Sequence, residues 1–191
     1  MLLLEKEIIQ RGKIINGEIL KVDSFLNHQV DPKLMEAIGE EFYHYFKKYP
    51  ITKVVTIETS GIAPALMCAL KLEVPMIFIK KAQPSTMQEA YVSHVFSFTK
   101  NKSYTICLSK HLISEDDHIL FIDDFLANGQ AFLGVEQIVH EAGAVIDGVG
   151  IVIDKTFQDG HLLIKEKGYD LYSLAKIKSL DENGVIFDES L

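Results

Sequence analysis

The sequence predicts an α/β protein with a mostly parallel central sheet and helices on both faces. Three observations carry this. Apolar runs of strand length alternate with segments of helical period from residue 52 to residue 177. The links between them are short, and strand–helix–strand alternation with short links builds parallel sheets. One apolar run, "HILFID" (118–123), ends in adjacent acids and then a small loop opening a helix. Open α/β sheets bind ligands beyond such strand ends.

Residues 2–11 predict a short amphipathic helix stopped at Gly12, and 13–29 reads as irregular. A better helix opens at Asp31, with Pro32 in the first turn, where a missing N–H does no harm. Leu34, Ile38, Phe42 and Phe46 recur every four residues, so one face is buried. "TKVVTIE" (52–58) is a strand, "IAPALMCALKL" (62–72) a helix and "PMIFIK" (75–80) a strand. "KKAQPSTMQEA" (80–90) has little apolar content and reads as a moving loop. "VSHVFSFT" (92–99) and "YTICLSK" (104–110) alternate every second residue around "KNKS" and predict a hairpin. Loop and hairpin together suit an active-site cover, although a plain surface excursion has the same periodicity. A buried strand over 118–123, a helix over 131–143 closed by Gly143, a strand over 144–154, a helix over 158–167 and a strand over 169–177 complete the chain.

The 191 residues suit one domain, 1–191, and the apolar and charged shares of 48% and 24% are ordinary for a globular chain. A net charge of −8 leaves no basic stripe for a nucleic-acid backbone. Cys68 and Cys107 belong to no CxxC pair and read as buried free thiols of a reducing compartment. "MLLLEKEIIQRGKII" meets charge after three leucines, too early for a signal segment, and no run is long enough to span a membrane. We therefore expect a cytoplasmic protein. The seven histidines show no metal-ligand spacing. G-x-x-x-x-G-K-[ST] and G-x-G-x-x-G are both missing, and Ser60 does not sit in G-x-S-x-G.

The chemistry concentrates in "FIDDFLANGQA" (121–131). Carboxylates at a strand end suit the vicinal hydroxyls of a ribose, or a magnesium ion held through water. Asp123 and Asp124 share one site only if the chain is already turning there, because strand neighbours point opposite ways. Asn128, Gly129, Gln130 and Ala131 then open a helix whose outward N–H groups can hold a phosphate. A sugar-phosphate site and a simple strand–turn–helix with a capping acid fit this spacing equally well.

"ILFIDDFLANGQA" (119–131) resembles the motif by which type I phosphoribosyltransferases bind 5-phosphoribosyl diphosphate (PRPP). "VTIETSGIAPA" (55–65) resembles the family's pyrophosphate loop, and 80–110 its flexible loop. In this chain Asn128 and Ala131 stand where the family usually has hydroxyl residues, so backbone amides must do more of the phosphate binding. The resemblance covers essentially the whole chain. With "ILKVDSFLNHQ" (19–29) and "IDKTFQ" (153–158) it narrows to the xanthine-using branch of the family.

It implies a type I phosphoribosyltransferase-like fold with a base-binding hood, mainly residues 1–30 and the C-terminal region, and a flexible loop or hairpin over about 80–110. Asp123 and Asp124 are the implied catalytic acids. Ala127, Asn128, Gly129, Gln130 and Ala131 would take the phosphate of PRPP, and Ser60, Gly61 and Lys81 its pyrophosphate. Lys80 or Lys81 would act across a homodimer. Leu20, Asn27 and Lys155 would contact the base, with Phe157 or Phe25 as stacking residues or as core. The family's loop acid is replaced by Ala127. Xanthine and PRPP are the implied substrates, and Mg²⁺ is expected as the PRPP complex with no direct protein ligand. The alternatives are a guanine or hypoxanthine enzyme and a PRPP-sensing regulator.

Overall fold

The computed structural model describes residues 1–82, 87, 89–97 and 102–188. Residues 83–86 and 88 of the expected moving loop (80–90), and Lys100 and Asn101 of the "KNKS" turn, lie outside those residues. Helix α1 (Leu2–Arg11) ends as expected, with Gly12 N–H donating to Ile8 O at 2.9 Å. The stretch read as irregular is ordered. Strands β1 (Lys13–Ile15) and β2 (Ile19–Lys21) pair antiparallel around Asn16 and Gly17, both left-handed at φ 52° and 70°. Asn-Gly is a strong hairpin signal because both residues tolerate positive φ. A π-type turn (Asp23–Asn27) follows, pinned by Arg11, which donates to Ser24 O at 2.6 Å and to Asp31 Oδ2 at 2.9 Å.

Helix α2 (Pro32–Phe46) is capped by Asp31, which accepts from Leu34 N–H at 3.3 Å. Then come β3 (Lys53–Ile57), α3 (Ile62–Leu72), β4 (Met76–Ile79), the hairpin β5 (Ala90–Ser97) and β6 (Lys102–Ser109), β7 (His118–Leu126), α4 (Gln130–Glu141), β8 (Val145–Lys155), α5 (Gly160–Glu166), β9 (Leu171–Asp181) and β10 (Gly184–Phe187). Among the described residues the main sheet runs β10-β9-β8-β7-β3-β4, parallel except for the edge strand β10. β10 lies beyond the last strand that the sequence predicts. It is short, at an edge, and introduced by the polar turn before Gly184.

Strand alternation sends Val54, Leu120, Ile122 and Val152 to one face, with Ile38, Phe42 and Phe46 of α2 and Cys68 of α3. It sends Val55, Phe121, Val149 and Ile151 to the other, with Phe132, Val135 and Ile138 of α4. Period-2 strands buried on both sides read as continuous apolar runs, which is why they were visible in the sequence. The base of the β5–β6 hairpin belongs to the second core: Val95, Ile106 and Leu108 are buried there, and Ser93 Oγ donates to Gln137 Oε1 of α4 at 2.8 Å.

Gly148 and Gly150 on β8 receive the rings of Phe46 and Phe42, and a Cβ at Gly150 would lie 2.9 Å from Phe42 Cε1. We expect Gly150→Val to overpack this contact and destabilise the protein by about 1–3 kcal/mol. A lower urea midpoint at unchanged slope would record this, and an unchanged midpoint would show that α2 yields freely.

Candidate active site

β3 and β7 are neighbours, yet the chain leaves them in opposite directions. β3 leads through α3 to β4 at one edge, and β7 leads through α4 to β8 on the other side. Such a switch point opens a crevice beyond the strand ends. Two loops flank it, Glu58–Gly61 after β3 and Ala127–Gly129 after β7.

β7 does not turn at its acids. It continues to Leu126, with Asp123 opposite Ile151 and Leu126 opposite Asp154 of β8. The acids still meet one hollow, of about 150 Å³, with Glu58, Thr59, Ser60 and Lys81. A second hollow, of about 130 Å³, is lined by Phe125 and by Ala127 through Ala131. The two share Asp123, Tyr104 and Ala131 as a common wall. So Asp123 faces both, while Asp124 lines the first. Neither acid has an ion-pair partner among the described residues; Asp124 N–H donates to Asp123 Oδ1 at 3.0 Å. Burial first, and then the neighbouring Asp124 charge, push Asp123 well above the usual carboxylate range. Burial also raises Asp124, against the hydrogen bonds it makes with Asp123 and the backbone.

Both helix starts at this crevice lack side-chain caps. α4 begins at Gly129, left-handed at φ 76°, and α3 begins at Gly61. The capping-acid alternative for Asp123 and Asp124 is thereby removed. The first N–H groups of each helix have no intrahelical acceptor and carry the positive end of the dipole. Gly61 is also a matter of space, since a Cβ there would lie 3.0 Å from Asp123 Oδ1. Lys81 is placed by its own N–H, which donates to Glu58 Oε1 at 2.7 Å.

A sequence model of the phosphoribosyl transferase domain matches residues 23–184. The chain belongs to the phosphoribosyltransferase family. It is 54% identical, over 98% of its length and 95% of the relative's, to a protein of Bacillus cereus (strain AH187) named xanthine phosphoribosyltransferase. A protein of the same name from Bacillus cytotoxicus is 53% identical over the same shares. Among solved structures, the adenine phosphoribosyltransferase of Giardia lamblia with 9-deazaadenine superposes with a TM-score of 0.76 at 20% identity, covering 91% of this chain and 97% of that one. That of Rhodothermus marinus gives 0.76 at 19% identity, over 93% and 100%. These two likenesses establish the fold alone, the type I phosphoribosyltransferase fold that the sequence predicts.

In this phosphoribosyltransferase the acids, Ser60, Lys81 and the 127–131 loop converge on one crevice. Lys80 points elsewhere, with its Nζ 5.6 Å from the Phe78 ring centre. Lys155, at the end of β8, lies beside the second hollow, its Nζ 5.9 Å from the centre of Phe125; burial lowers its pKa. Asn27 is exposed at the end of the π-type turn. Leu20 is only 6% exposed and packs into the core, so its side chain offers no polar contact; it borders a separate hollow with Ile8, Ile14 and Glu182. Phe25 is fully buried under Arg11 and is core, whereas Phe157 is 47% exposed. Glu58, Tyr104 and Phe125 line the site without having been singled out. Phe125 stood next to the acids, but only the fold brings Tyr104 to them.

Asp123 yields a stability prediction with a definite sign. A carboxyl whose folded pKa is raised adds stability below its unfolded pKa, and that stability is lost as pH rises through the folded value. Asp123→Asn should therefore raise Tm by about 2–4 °C at pH 8, what ~1 kcal/mol does in a chain of this size. The gain should shrink toward pH 4. Equal shifts at both pH values would remove buried-charge repulsion as the cause.

Proposed function

We propose that the protein transfers the 5-phosphoribosyl group of PRPP to xanthine, giving xanthosine 5′-monophosphate and pyrophosphate. One observation carries the reaction: two adjacent acids, Asp123 buried and Asp124 half-buried, and two uncapped helix starts share the crevice at the sheet's switch point. The choice of base is supported by the identity to the two Bacillus proteins.

The amides of Asn128 through Ala131 bind the 5-phosphate. The carboxylates of Asp123 and Asp124 accept from the ribose hydroxyls and stabilise positive charge growing at the anomeric carbon. Ser60 and Gly61 at the start of α3, with Lys81, receive the leaving pyrophosphate. Lys155 donates to a carbonyl oxygen or N7 of the purine, Asn27 both donates and accepts at its edge, and Leu20 contributes backbone groups. Phe157 is free to stack on the ring. The hood comprises α1, the β1–β2 hairpin, the Asp23–Asn27 turn and the C-terminal region.

Mg²⁺ fits this donor set. Two adjacent carboxylates, one buried and one half-buried, without a counter-ion favour a cation. Among the described residues no three Asp, Glu, His or Cys side chains gather into a cage. Asp123 and Asp124 would hold the ion through water. When bound, it neutralises charge on the departing pyrophosphate.

A homodimer is supported by the apolar hollow that Met76, Phe78 and Leu112 line together with Lys80, Phe78 and Leu112 both being more than a third exposed. A cytoplasmic location fits two buried free thiols and the lack, among the described residues, of any helix long and apolar enough to cross a membrane.

Pyrophosphate release with Mg²⁺ and PRPP, measured separately with xanthine, guanine, hypoxanthine and adenine, tests this directly. Xanthine should lead. Preference for another purine would move the roles of Asn27 and Lys155, and no release with any base would favour a regulator. In the same assay Asp124→Asn should lower kcat/KM by about 10²–10³ with Tm unchanged or raised. Near-parental turnover would sink the ribose role.

A further inference from the structure

β8 ends in two side chains that face opposite ways. Lys155 emerges beside the second hollow, while Asp154 points inward and is fully buried. Asp154 Oδ2 accepts from His161 Nδ1 at 2.6 Å and from Ser173 Oγ of β9 at 2.7 Å. His161 is itself only 3% exposed. Among the described residues, Asp154 Oδ1 and His161 Nε2 have no partner. The imidazole is thus fixed by a single nitrogen on a single oxygen. Apolar residues of similar shape generally stabilise a core at least as well as such a contact. The phosphoribosyl transfer described above uses none of these three groups.

Their placement indicates a use. His161 is the second residue of α5, and the residue before it touches the phosphate loop. Gly160 N–H donates to Ala127 O at 2.9 Å. A Cβ at Gly129 would lie 3.2 Å from Gly160 Cα, and a Cβ at Gly160 would lie 2.7 Å from Gly129 N. Loop and helix meet backbone to backbone, with glycine on both sides. The loop leans on the first turn of α5, and that turn is fastened to the end of β8 through His161 and Asp154.

We infer that His161 is a positioning residue for PRPP: seated on Asp154, it holds α5 against Ala127 and Gly129 and so fixes the amides that receive the 5-phosphate. The inference rests on the proposal that Ala127–Ala131 bind that phosphate. Backbone amides cannot be re-aimed by rotating a side chain, so the accuracy of a cradle that relies on them depends on what stands behind it. The same Asp154 fixes the strand end from which Lys155 projects.

Two substitutions separate positioning from general packing. His161→Asn keeps an N–H donor where Nδ1 stands, and His161→Phe keeps the ring shape but not the donor. His161→Phe should raise KM for PRPP about tenfold, the effect of one lost buried hydrogen bond, while KM for xanthine moves less than about threefold. His161→Asn should stay within about threefold of the parent in both. In the ligand-free protein, amide exchange at Gly160, whose N–H donates to Ala127 O, should accelerate in His161→Phe and not in His161→Asn. Parental KM and exchange in a folded His161→Phe would overturn the inference, as would equal losses in the two variants. Because exchange is read without ligand, a loosened loop in a protein whose parent binds no PRPP would support the positioning role and overturn the phosphate assignment instead. If His161→Phe fails to fold, Gly160→Ala, which pushes on Gly129 and leaves the buried pair intact, should raise KM for PRPP selectively. A folded Gly160→Ala with parental KM would equally overturn the inference.

Discussion

The site depends on β7 staying paired past its acids. β3 pairs with it as far as Phe121 and β8 continues alongside to Leu126, so Asp123 and Asp124 enter the crevice on a strand still laddered to β8. Two carboxylates a single residue apart, both raised by burial, would be relieved by any motion toward water. The ladder denies them that motion. Electrostatic discomfort is thereby held in place until a ligand offers hydroxyl donors or a cation, and a preorganised site of this kind need not rearrange when charge develops.

This also reconciles the chain's acidity with an anionic substrate. A net charge of −8 sets the far field and slows encounter somewhat. Close to the crevice the field is local: two uncapped helix starts and Lys81 stand within one hollow's width of the acids. Positive potential from backbone amides costs the protein no net charge, so it does not appear in any count of lysines and arginines. The charge argument that excludes nucleic acid therefore has no force against a phosphorylated sugar.

What the sequence made legible follows from local physics. The strands of the main sheet were visible because burial on both faces gives unbroken apolar runs, and α2 because its aromatic stripe has helical spacing. The β1–β2 hairpin escaped although Asn16-Gly17 signals it, because three-residue strands carry too little pattern to be seen. β10 escaped for the same reason. The turn expected at Asp123 and Asp124 rested on a correct rule about alternation. It overlooked that a hollow at a strand end can be reached from both sides of the strand, as Asp123 and Asp124 reach it here. Tyr104 and Leu20 were unreadable in another way. Tyr104 reaches the acids only through the hairpin's packing on α4, and the burial of the Leu20 side chain depends on Gly12 and α1.

The departures of the loop from its family pattern fit the same frame. Asn128 and Ala131 stand where the resemblance puts hydroxyl side chains, so Ala131 gives up one rotating donor and Asn128 offers an amide in place of the other. The backbone amides among its donors have directions set by backbone angles alone. Gly129 at φ 76° sets one of those angles and can do so only without a side chain. Its close contact with Gly160 then makes α5 part of the loop's geometry. A loop that recognises phosphate by backbone has to be braced from behind, and the buried His161–Asp154 contact lies where such a brace would be anchored. The specialised part of this site is thus spread over residues 123–161, across a strand end, a loop and a short helix. A motif confined to 119–131 could announce the proposed phosphate site but not what holds it still.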